Sequence, residues 1–235
     1  MDWSGLMAAL IVAAPVAIIA ITFHEAAHGY VAHLFGDPTA YQQGRVSFNP
    51  LRHIDPFGTV LLPLLIFYTS YTMAGTGWIF GWAKPVPVNP SRLRSPRRDM
   101  VLVAAAGPGI NLALALISAA LLSVLGGFTA EPEFLRKLLT FSIFFNVLIG
   151  VFNLIPIPPL DGGRIAVGLL PGSLAFPLAR LEPYGMWIVI GLLLILPLVT
   201  QQLGSEINPF MTLIYPIVNA IIGAIATVVG LGAPT

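Results

Sequence analysis

Apolar residues run through this chain in long blocks, and the polar residues gather between them. The first block covers residues 6–35, followed by 100–128, 141–157, 184–203 and 209–231, with a shorter one at 57–71. A run of about 18 or more apolar residues can cross a bilayer as a helix. The first block, as one straight helix, would be about 45 Å long, so it tilts or projects beyond the hydrocarbon. The pattern predicts an all-α polytopic membrane protein with about five to six membrane segments. Residues 57–71 fit either a crossing or a re-entrant dip, because Asp55-Pro56 and Gly75-Thr76-Gly77 bracket them.

The stretches between blocks carry a different signal. In residues 37–54, Tyr41, Arg45, Val46 and Phe48 around Gly44 suit a short strand or hairpin. Residues 78–90 hold Pro85, Pro87 and Pro90 and are expected to be extended, because proline is excluded from helix interiors. Short β-like or re-entrant elements are therefore expected after the first helix. No repeat, low-complexity tail or appended soluble domain is visible, so residues 1–235 read as one membrane-embedded domain.

Composition agrees with the pattern. Only 9% of residues are charged and 57% are hydrophobic, with a mean hydropathy of +0.88. A soluble domain carries about 25% charged residues, so most of this surface is expected to face lipid. The net charge of +1 gives no reason to expect a nucleic-acid partner. With no cysteine, disulfides and thiolate metal sites are excluded. The first block lacks a basic n-region and is too long for a cleaved signal, which predicts a retained membrane segment. Lys84, Arg92, Arg94, Arg97 and Arg98 form the densest basic cluster, and such loops stay cytoplasmic.

Within the first block lies His24-Glu25-Ala26-Ala27-His28. Helix positions four apart share a face, so both imidazoles can reach one Zn²⁺. Glu25 is then placed to take a proton from water activated by the metal. Three ionisable groups inside an otherwise uncharged apolar run are costly and usually functional. His33 lies well around the helix from His28 and His53 sits in a polar loop, so neither is assigned to the metal.

Catalytic zinc sites commonly have three protein ligands. Among the ten acids, Asp161 follows Asn153-Leu154-Ile155-Pro156-Ile157-Pro158-Pro159-Leu160 and precedes Gly162-Gly163. Prolines end a helix and glycines allow a sharp turn, a geometry that can direct a carboxylate sideways into a site. An ordinary membrane-exit turn would use the same residues.

HExxH in one membrane helix and N-x-x-P-x-P-x-L-D-G in a later one resemble the site-2 proteases, intramembrane zinc metalloproteases of peptidase family M50. Ala106-Gly107-Pro108-Gly109-Ile110-Asn111 and Gly81-Trp82-Ala83-Lys84-Pro85-Val86-Pro87-Val88 are similar to further motifs of that family, the latter typical of its compact prokaryotic members. The likeness spans residues 23–164, and no PDZ or CBS insertion is apparent. It implies one zinc per chain held by His24, His28 and Asp161, with Glu25 as the catalytic glutamate. It implies for Asn153 a role in stabilising the oxyanion, although a helix–helix hydrogen bond would also explain that residue. Asn111 and Asn146 read as packing residues of that second sort, and Gly107 and Gly109 as sites of close helix approach.

The expected protein is thus a zinc metalloendopeptidase acting on transmembrane-helix protein substrates in a lipid bilayer. Its catalytic core would be residues 5–165, with additional C-terminal helices over 184–231. If residues 57–71 are re-entrant, the first and third long helices bring their C-terminal ends to one depth. The site then faces the cytoplasm, in a prokaryotic plasma membrane by analogy with the compact members. An unwound substrate would pair by strand addition with residues 41–48 or 78–88. The alternatives are a membrane metal-ion transporter and a non-protease membrane zinc protein.

Overall fold

A computed structural model describes residues 3–74, 81–129, 132–203 and 210–231. All regular structure among them is helical. The long helices are α1 (Trp3–Leu34), α4 (Pro96–Val124) and α5 (Glu133–Asn153). Between α1 and α4 lie the single turn α2 (Thr39–Gln42) and α3 (Leu62–Ala74), the latter preceded by a π-helical segment, Pro56–Leu61. After α5 come α6 (Asp161–Leu169), α7 (Gly172–Ala179), α8 (Gly185–Ile190), α9 (Leu196–Gln202) and α10 (Tyr215–Val228).

Among the described residues, three helices are long and apolar enough to cross a membrane: Met7–Leu34, Pro96–Val124 and Glu133–Asn153. Their outer faces carry large exposed apolar side chains such as Ile11, Ile18, Ile117 and Leu121. In water this would be a severe liability, whereas lipid tails solvate it. The apolar stretches Pro56–Thr69 and Thr212–Val228 are shorter, and a π-helical segment, Gly191–Ile195, joins α8 to α9.

Local chemistry sets the long helices' ends outside their apolar blocks. Pro96 opens α4, where its missing N–H costs nothing, and the Asp99 carboxylate accepts from the Ser95 amide at 2.7 Å. The charged first turn of α5 is held by Glu133, whose carboxylate lies 2.7 Å from Lys137 Nζ and 3.5 Å from Arg136 Nη2. This helix therefore starts at Glu133, well before the apolar block at residue 141, and stops at Asn153 ahead of Pro156.

Helices α1, α4 and α5 pack on one another, with α6 against α4 and α10 against α5. The seams are built largely of small residues: Ala20, Ala104, Ala115 and Ala119 are all within 1% of complete burial. Lipid offers no hydrophobic force between helices, so close backbone approach and van der Waals contact hold such seams. Larger groups fill the layers above and below, with Val147 and Val218 in one cluster and Leu122 and Ile143 in another.

The strand or hairpin expected around residues 41–48 is not formed. Asp37 takes that segment over: its carboxylate accepts from the Thr39 amide and hydroxyl, and Pro38 leads into the helical turn Thr39–Gln42. The proline-rich stretch forms no helix over residues 81–89, and residues 78–80 lie outside the described residues. It lies along the end of α1, tied by Lys84 N to His53 O and Trp82 N to Gly58 O.

Candidate metal centre

His24 and His28 project from one face of α1, one turn apart, with ring centroids 4.7 Å apart and planes nearly perpendicular. Asp161 arrives from the opposite direction as the first residue of α6. Its Oδ2 lies 3.1 Å from His24 Nε2 and 3.3 Å from His28 Nε2. All three residues are buried, and one donor atom from each lies within 4.8 Å of the others.

The loop of residues 154–160 makes this placement possible. It folds back over the first turn of α6 so tightly that a side chain at Gly162 would strike the Leu154 carbonyl, and one at Gly163 the backbone of Ile157 and Pro158. Only glycine permits that approach. Asp161 is thereby fixed at a helix N-terminus, where the backbone dipole favours a carboxylate.

The opposite wall is α4. A Cβ at Gly107 would lie 2.5 Å from both His24 Cε1 and His28 Nε2, so any side chain there would occupy the donor locus. Gly109, expected to serve the same close packing, faces open space instead. The far nitrogens of both imidazoles are engaged by α4: His28 Nδ1 lies 2.7 Å from the Val103 carbonyl, and His24 Nδ1 2.6 Å from Asn111 Oδ1. Asn111, expected to be a packing residue, thus touches a metal-binding side chain directly.

These residues fit a metal ion. Two imidazole nitrogens and one carboxylate oxygen make up a donor set common in catalytic zinc sites, which leave one position open. Asp161 Oδ2 is buried without a hydrogen-bond partner, a costly arrangement that a cation would relieve. Both imidazoles turn Nε2 towards the carboxylate while a fixed acceptor holds Nδ1, as ligating histidines do.

The other expected residues lie around this group. Glu25, half-buried, accepts a hydrogen bond through Oε2 from the Val86 amide at 2.9 Å, which joins the carboxylate to the proline-rich segment. That contact was not visible in the sequence, nor was the nearby Arg45, whose Nη2 donates to the Lys84 carbonyl at 2.6 Å. Asn153 turns its amide back to the Ile149 carbonyl of its own helix at 3.1 Å. His33 stacks on Tyr41, and the buried His53 pairs through Nε2 with the Ser47 carbonyl, so neither joins the metal group.

"Putative zinc metalloprotease YwhC" of Bacillus subtilis (strain 168) is 40% identical over 196 residues, covering 81% of this chain and 83% of that protein. The chain belongs to peptidase family M50. The model of that family, Peptidase family M50, matches residues 122–198, which include Asp161. Two proteins named "Putative zinc metalloprotease Rip2" are more distant M50 relatives. The one from Mycolicibacterium smegmatis is 31% identical over 75% of this chain and 64% of its own length. The one from Mycobacterium tuberculosis (strain ATCC 25618 / H37Rv) is 32% identical over 62% and 52%. No solved structure matches the chain. As an M50 member the protein is a zinc metalloprotease, and zinc is the metal for which the His24, His28 and Asp161 group is suited.

Proposed function

We propose that this protease cuts transmembrane-helix substrates within the membrane, with zinc held by His24, His28 and Asp161. The observation that carries the reading is the convergence of three buried donor atoms, two of them on a helix apolar enough to span the bilayer. Zinc, when bound, supplies Lewis-acid activation of water and of the scissile carbonyl. Glu25 takes the proton from the attacking water and passes it to the leaving amine. Its bond from the Val86 amide orients the carboxylate. Asn153 would donate its amide N–H to the developing oxyanion after leaving the Ile149 carbonyl, and such donors contribute roughly 3 kcal/mol. Residues 81–89, non-helical and bonded to Glu25 through Val86, would pair with an unwound substrate strand.

Residues 1–235 act as a single membrane domain of five to six segments, with 57–71 re-entrant. The basic cluster from Lys84 to Arg98 then puts the site on the cytoplasmic side of a plasma membrane, where regulated cleavage would release a membrane-held factor.

Cleavage of a single-span model substrate in proteoliposomes tests the reading. Glu25→Gln should keep stoichiometric zinc and lose cleavage by about 10²–10⁴-fold. Wild-type cleavage by Glu25→Gln would overturn it. So would zinc flux across the vesicles without hydrolysis, which marks a transporter.

A further inference from the structure

Behind the metal group runs a buried polar chain that peptide hydrolysis does not by itself require. Starting at His24 Nδ1, it passes to Asn111 Oδ1 at 2.6 Å, from Asn111 Nδ2 to Asn146 Oδ1 at 2.9 Å, and from Asn146 Nδ2 to the Ser142 carbonyl at 2.9 Å. Ser142 Oγ continues it to Ser118 Oγ at 2.8 Å. The chain crosses α1, α4 and α5, and Asn111 and Asn146 are 0% and 2% exposed.

The direction of every bond near the histidine follows from two backbone carbonyls. Asn111 Nδ2 also donates to the Ala20 carbonyl at 3.2 Å, and a carbonyl only accepts, so the –NH₂ end of Asn111 must face that way. Likewise the Ser142 carbonyl fixes the –NH₂ end of Asn146, which leaves Asn146 Oδ1 to accept from Asn111. Both donors of Asn111 are then spent, and its Oδ1 can only accept from His24. His24 must therefore carry its proton on Nδ1 and present the Nε2 lone pair towards Asp161. The other tautomer would set two lone pairs against each other between two buried side chains, at the cost of an unsatisfied buried group.

His28 reaches the same state by a different device, the Val103 backbone carbonyl, which no side-chain substitution removes. Of the two imidazoles, only His24 depends on a replaceable side chain. We propose that Asn111, oriented by the Ala20 carbonyl, is the positioning residue that fixes the tautomer and ring orientation of His24 for metal binding. The proposal rests on the metal assignment above and goes beyond it by giving the asparagine of the 106–111 motif a role outside helix packing.

The test is zinc affinity by chelator competition on the purified full chain in detergent, with the visible absorption of the Co²⁺-substituted protein as a second readout. Asn111→Leu should weaken zinc by about 10–100-fold, the usual effect of losing the partner of a ligating histidine. Asn111→Asp keeps an acceptor for the Nδ1 proton, so it should bind zinc far better than Asn111→Leu and shift the Co²⁺ band. Asn146→Leu removes an inter-helix bond of the same kind one step further out. It should lower the thermal midpoint while leaving zinc affinity within about threefold. Equal loss of zinc in Asn111→Leu and Asn146→Leu would reduce the chain to helix packing and overturn the proposal. If Asn111→Leu does not fold, Asn111→Asp decides, and weakened zinc with an unmoved Co²⁺ band overturns it. A wild-type protein that binds no zinc would instead overturn the metal assignment itself.

Discussion

Gly107 defines how little room the metal group leaves. Its missing side chain is the only clearance between α4 and the two imidazoles, with 2.5 Å from a Cβ to His28 Nε2. A methyl group needs about 3.5–4.0 Å from another heavy atom. Gly107→Ala should therefore lower zinc affinity at least about tenfold while helix content by circular dichroism stays near wild type. Unchanged zinc affinity would show that the donors lie elsewhere. His24, Glu25 and His28 were legible in the sequence because a spacing of four has one meaning on a helix. Prolines and glycines around Asp161 announced a turn, which a membrane exit would also use, and the resemblance to the M50 proteases singled out its carboxylate. Asn111 was legible only as a polar residue in an apolar helix: whether it meets another helix's backbone or an imidazole depends on how α1 and α4 rotate about their axes, which no local pattern encodes.

At the scale of elements, Asp37 joins the end of α1 to the proline-rich segment that reaches Glu25. It is fully buried, and its carboxylate accepts from the Thr39 hydroxyl, the Thr39 amide and the Asn89 amide. Burial works to raise its pKa, but these bonds and the nearby Arg92 outweigh it and hold the carboxyl below its ordinary value. A carboxyl depressed on folding adds stability above its unfolded pKa, which is lost as pH falls through the folded value. Asp37→Ala should then cost about 1–3 kcal/mol at pH 7. It should also show a thermal midpoint that falls less than wild type's between pH 5 and pH 3, both read by melting in detergent. An identical acid slope in both proteins would remove Asp37 from the account. The same residue explains the strand expected near residues 41–48. The alternation around Gly44 was real, but the Asp37 carboxylate accepts from the Thr39 amide and hydroxyl as the chain enters α2, and this local turn prevailed over the weaker β preference. The absence of helix over residues 81–89 was legible because Pro85 and Pro87 are excluded from helix interiors.

For the whole molecule, three spanning helices carry the functional group: α1 brings two donors, α4 forms the wall, and α5 ends in the loop that delivers Asp161. Block lengths alone made a membrane protein legible. The start of α5 was not, because the ion pairs of Glu133 extend a helix past its apolar limit. Small residues along the seams and large ones outward are what a bundle held by close packing in lipid requires, and they bring carboxylate and imidazoles to one buried point. The central claim is that this point binds the catalytic zinc. The most direct measurement is metal content by inductively coupled plasma mass spectrometry on the purified chain and on Asp161→Ala, after equal exposure to a weak chelator. The account predicts one zinc per wild-type chain and its loss from a still-folded Asp161→Ala. A folded wild type without zinc, or an Asp161→Ala protein that retains it in full, would contradict the account.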